Sequence, residues 1–68
     1  MITADQRAVV AAFTNGMRLH LGLTQAGLAR QIGIRPDQVS KAESARPCGA
    51  AAWRELVKFN NLETHGYG

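Results

Sequence analysis

Apolar positions in this chain recur at intervals of three and four residues, and nowhere do they alternate for long enough to suggest a strand. That periodicity predicts four helices. In the first, Ala4 to Leu21, the residues Val10, Phe13, Met17 and Leu21 fall on one apolar stripe. Thr3 and Gln6 have the spacing of a capping box at its start, and Gly22 follows where a left-handed residue commonly ends a helix. Asn15-Gly16 interrupts the pattern at a cost of about 1 kcal/mol for the glycine, which predicts a weak point in one helix rather than two helices.

Thr24 is an N-cap for a second helix, Gln25 to Ile32, with Leu28, Ala29 and Ile32 inward and Gly33 at its end. Pro36 suits the first position of a third helix that runs to about Ser44, with Val39 and Ala42 inward. Arg46-Pro47 reads as a turn. A fourth helix, near Gly49 to Asn60, carries Ala50, Trp53, Leu56 and Val57 on one side and Arg54, Glu55 and Lys58 on the other. Residues 61–68 read as a loose tail.

The 68 residues make room for one domain with one small core. Cys48 is the only cysteine, which rules out an internal disulfide and favours a reducing cytoplasm. With His20 and His65 far apart, the expectation is no metal site, and no cofactor motif is present. The longest aliphatic run, Ala8 to Phe13, is too short to span a bilayer, and the N-terminus lacks the basic-then-apolar order of a secretory signal. No small-molecule site is evident. Ser40, His20 and Asp37 do not assemble into a triad, so an enzyme is not expected. Lys and Arg exceed Asp and Glu by three, which permits contact with nucleic acid without requiring it.

The stretch Arg18 to Glu43 is the most informative. Gly22-Leu23-Thr24-Gln25 opens the second helix, Ala29 sits mid-helix, Gly33 marks the turn, and Val39 and Glu43 follow. In these features the chain resembles the DNA-binding domain of the phage repressor and Cro family over roughly residues 10–60. The matches have physical reasons. Ala29 lets two helices cross closely, and Gly33 accepts a positive φ. Val39 and Ala42 anchor the third helix so that Asp37, Ser40, Lys41 and Ser44 stand clear as a polar face.

The resemblance implies an all-α, lambda-repressor-like domain with its helix-turn-helix at about residues 25–44. It further implies a homodimeric transcriptional regulator that binds double-stranded DNA at an inverted repeat, in a bacterial or phage-infected cytoplasm. By the same resemblance Pro36, Asp37 and Lys41 read base edges, Lys41 donating to guanine and Asp37 accepting from cytosine or serving only the helix dipole. Thr24, Gln25, Arg35, Ser40, Ser44 and Arg46 lie along the DNA backbone. Arg18 and Glu43 form a structural ion pair.

The chain departs from the pattern in four ways. Gly27 replaces the glutamate that closes the capping box with Thr24. Ala45 replaces a glycine after the recognition helix, so that turn is expected to be built differently. Ala42 is small, and Trp53 is placed to fill the gap. A fifth helix is missing or reduced, which leaves Phe59 and Leu62 as candidates for a subunit contact or, alternatively, for the edge of the monomer core. The competing functional reading is a protein-interaction adaptor or antitoxin-like component that keeps the fold.

Overall fold

Three of the four helices described start where something local removes the need for a backbone partner. The computed structural model describes residues 2–62, and within them the chain forms α1 (Ala4–His20), α2 (Gln25–Ile32), α3 (Pro36–Glu43) and α4 (Ala50–Phe59), with no strand. At α1 the Thr3 hydroxyl accepts from the Gln6 N–H at 3.1 Å, and the Gln6 side chain accepts from the Thr3 N–H at 2.8 Å. At α2 the Thr24 hydroxyl accepts from the Gly27 N–H at 3.0 Å; Gly27 has no side chain to return the bond. Pro36 opens α3, where the Gln38 Oε1 accepts from the Arg35 N–H at 2.9 Å. Before α4, Gly49 holds φ +94° and ψ 150°, a region essentially closed to residues with a Cβ.

The helix ends share one device. Gly22, Gly33, Ala45 and Asn61 all have positive φ, and each turns the chain so that a following N–H reaches back to the last turn. After α3 the Ala45 N–H donates to the Ala42 carbonyl at 3.1 Å and the Arg46 N–H to the Lys41 carbonyl at 2.8 Å. The left-handed turn expected to be rebuilt is therefore kept, with Ala45 at φ 59° bearing its strain. The chain reverses at Ser44–Ala45, not at Arg46-Pro47. With the Arg46 N–H already spent on the helix, residues 46–49 run on without regular structure into α4.

The core has two parts. Val10, Ala42, Cys48, Ala52, Trp53, Leu56 and Val57 form one, and Leu28, Ala29 and Val39 form the other. Ile32 and Ile34 pack against both and join them. Trp53 shares the first cluster with Ala42, the place expected for it. α3 packs against each of the other three helices, so its position is set from every side but one.

Three expectations about facing are corrected. On α1 the inward row is Val10, Ala11 and Thr14, while Phe13, Met17 and Leu21 are 49%, 42% and 49% exposed. The rotation of α1 follows from Arg18, which must reach Glu43. At 100° per residue Phe13 then lies about 140° around the helix from it. On α4 the buried alanine is Ala52, not Ala50, which is exposed in the first turn. Phe59 packs half-buried against the Leu28 cluster and Leu62 against the Val10 cluster, as the monomer-core alternative has it. Asn15-Gly16 does not break α1. Of the expected tail, residues 63–68, with His65, lie outside the described residues. No helix among the described residues is long and apolar enough to cross a membrane.

Ala45→Gly should stabilise the domain by about 0.5–1 kcal/mol, the relief of left-handed strain less the added freedom of the unfolded chain. Chemical denaturation gives this directly. A loss of stability instead would mean that the methyl group of Ala45 packs usefully.

Candidate nucleic-acid interface

Glu43 is the last residue of α3, and its side chain is only 6% exposed. A carboxylate so placed is costly unless donors surround it. Arg18 meets it with two parallel bonds, Nε to Oε2 at 2.7 Å and Nη2 to Oε1 at 3.1 Å. Asn15 Nδ2 adds a bond to Oε1 at 3.0 Å, and Gln25 Nε2 a longer one at 3.4 Å. Arg18 spends its Nη1 on the Leu23 carbonyl at 2.9 Å, in the linker between α1 and α2. Burial alone pushes the Glu43 carboxyl up, but the bonds from Arg18, Asn15 and Gln25 outweigh it and hold the group below its ordinary value. The hydrogen bond to Glu43 outweighs burial at Arg18 as well and raises its pKa, so both groups stay charged.

With its inner side gripped, α3 presents its outer side to solvent. Pro36, Asp37 and Lys41 are all exposed. Asp37 sits between two cations: Arg35 Nε lies 3.3 Å from its Oδ1, and Lys41 Nζ 3.8 Å from its Oδ2. Arg35, Asp37 and Lys41 are thus linked along the outer side of α3, from the residue before it to its last turn. The contacts are solvent-exposed and weak, easily exchanged for others. Ser44 is exposed, its hydroxyl bonded to the Ser40 carbonyl at 2.9 Å, and Ser40 itself is half-buried. Arg46 is exposed immediately beyond α3.

Protein-family models, curated proteins and solved structures give no match to this chain. The meaning of the site therefore rests on its own chemistry.

Two of the expected backbone residues carry structural duties. The Thr24 hydroxyl caps α2, and Gln25 is half-buried with its amide turned toward Glu43. Phe59 and Leu62 do not form one surface group, since each packs on a different core cluster. Several important residues were not anticipated. Asn15, read as a blemish in α1, lies one turn before Arg18 and serves the same carboxylate. Gln38 caps α3 with its carbonyl oxygen and donates from Nε2 to the Cys48 carbonyl at 3.2 Å, tying the start of α3 to the segment before α4. Its spacing from Arg35 was a usable signal for the first bond; the second depends on the fold. Cys48 itself is buried, and burial pushes its thiol pKa up, so it is a packing residue and not a reactive one.

Arg18→Met or Glu43→Gln alone should cost on the order of 3 kcal/mol, and the double variant less than the sum of the two. Denaturant unfolding of all four proteins gives the coupling; a value near zero would mean that the pair does not hold the helices. Because the folded Glu43 pKa is depressed, the stability it adds is present above its unfolded value of about 4.5 and is lost as pH falls through the folded pKa. The stability difference between wild type and Glu43→Gln should accordingly hold above about pH 4.5 and shrink as the pH is lowered from there.

Proposed function

We propose that this protein is a sequence-specific regulator that binds double-stranded DNA with α3 in the major groove. The observation that carries the reading is the two-sided state of α3. Its inner side is locked by Arg18–Glu43, Val39 and Ala42, while Asp37 in its first turn and Lys41 in its last face solvent, held only by exposed ion pairs. Eight helical residues span about 12 Å, comparable with the width of the groove that would receive them. A rigid mount suits this role, since base-edge hydrogen bonds tolerate little misplacement.

In this reading Lys41 donates to guanine O6 or N7 and Asp37 receives from cytosine N4, each giving up its partner on the protein for one on the duplex. Asp37 also restrains Arg35 and Lys41 off the cognate site by neutralising part of their charge. Arg35 before α3 and Ser44 and Arg46 after it meet phosphates, and Gln25 and Thr24 do so from the start of α2. Two copies on an inverted repeat would double a readout that covers only a few base pairs per module. The resemblance to phage repressors and Cro proteins supports the same reading.

Selection of bound duplexes from a random pool, followed by anisotropy titrations at several salt concentrations, tests the proposal. Affinity should fall steeply as salt rises. Lys41→Ala should weaken the selected duplex by about 1–3 kcal/mol and relax preference at one base pair. Asp37→Ala should raise affinity for unrelated duplexes and so narrow discrimination. Failure to enrich any sequence, with no salt-dependent binding, would overturn the proposal.

A further inference from the structure

Beside Trp53 the packing leaves a cavity of about 220 Å³. Ile2, Pro47 and Trp53 give it an apolar wall, and Cys48, Gly49 and Ala50 line the side where the chain enters α4. Among the described residues that line it, Arg7 alone is charged. Arg7 is braced: its Nε donates to the Ala45 carbonyl at 3.2 Å and its Nη1 to the Ile2 carbonyl at 3.4 Å. These bonds spend two of the five guanidinium N–H groups. No carboxylate among the described residues lies within ion-pair distance of it. A second positive feature adjoins it. α4 begins after Gly49 with no side chain capping its first N–H groups, and Gly49 and Ala50 belong to the same lining.

We infer that this cavity binds a small organic carboxylate carrying one ring or a short chain. Volume sets the size. A cavity of about 150 Å³ takes a benzene ring, and pockets for drug-sized ligands begin at about 300 Å³; this one lies between. Charge sets the class. A half-buried guanidinium with unspent donors and an uncapped helix start both favour an anion, while Trp53 and Ile2 favour hydrocarbon beside it. An inorganic anion would leave the apolar wall unfilled. A neutral hydrocarbon would strip water from the free donors of Arg7 and return nothing to them.

The lining is joined to α3 at both ends. Arg7 holds the Ala45 carbonyl just after α3, and Gln38, in the first turn of α3, donates from Nε2 to the Cys48 carbonyl at 3.2 Å. A carboxylate seated between these two bonds bears on the mounting of α3, and so acts as an effector of whatever α3 presents. Its binding is independent of any contact between α3 and DNA.

Trp53 is the only tryptophan in the chain, so its fluorescence reports on the cavity directly. Titration of the full chain with benzoate at constant ionic strength should give a saturable change, half complete on the order of 1 mM. Benzyl alcohol and inorganic phosphate, each with half of the required chemistry, should bind about ten-fold more weakly or worse. Arg7→Met should abolish the response, but it also removes the brace on Ala45. Ala50→Glu separates binding from folding, because Ala50 is exposed and an acid in the first turn favours the helix. That variant should keep its helical circular dichroism and lose about ten-fold or more in benzoate affinity, since it sets a like charge on the wall. In nitrogen–proton NMR spectra of the wild type, the Gln38 side-chain amide should shift with the same midpoint. No saturable response up to about 50 mM benzoate, an equal response to benzyl alcohol, or undiminished affinity in Ala50→Glu would overturn the site. A Gln38 amide that stays still at saturation would overturn its link to α3.

Discussion

The Glu43 carboxylate is the point on which the arrangement of the domain turns. It draws donors from Arg18 and Asn15 on α1 and from Gln25 at the start of α2, while belonging itself to the last turn of α3. Each bond removes one freedom: the rotation of α1, the approach of α2, the seating of the C-terminal end of α3. An apolar substitute of equal volume could match such a pair in stability. It would not impose the same register, because apolar contacts lack direction. What faces outward on α1 and α3 is thus a consequence of where one carboxylate finds its partners.

The opposite end of α3 is held by a different kind of contact. Gln38 bonds forward to the segment before α4 and backward to the Arg35 N–H, so its amide joins a helix start to a distant loop. Arg35 and Asp37 project from the turn that Gln38 fixes, and Lys41 reaches Asp37 from one turn further on. A surface of flexible, mutually paired charges is in this way mounted on a backbone held at both ends.

Helix starts and most helix ends were legible in the sequence because their chemistry is local. Thr3 with Gln6, Thr24, Pro36, Gly22 and Gly33 all act within a few residues of themselves. The Arg18–Glu43 pair was legible through the family resemblance. The rotation of α1 was legible only at Val10: Phe13, Met17 and Leu21 share its periodicity but stay exposed, since periodicity records spacing and not burial. Ala45 was misjudged because an alanine signals no left-handed turn; the bonds from Ala45 and Arg46 back to α3 accompany that strain. Thr14 and Asn60, 46 positions apart, gave no sign at all. Only the packing of α1 on α4 brings the Asn60 amide within 2.9 Å of the Thr14 hydroxyl.

That last contact has a thermal consequence. Thr14 is fully buried, and with Asn60, Arg18 and Glu43 it places polar groups where a domain of this size would ordinarily hide hydrocarbon. Exposing hydrocarbon raises the heat capacity on unfolding, whereas exposing polar surface lowers it. Burying these groups keeps the increment smaller than hydrocarbon in the same places would give. A smaller increment means less curvature, so each such group makes stability a little less dependent on temperature.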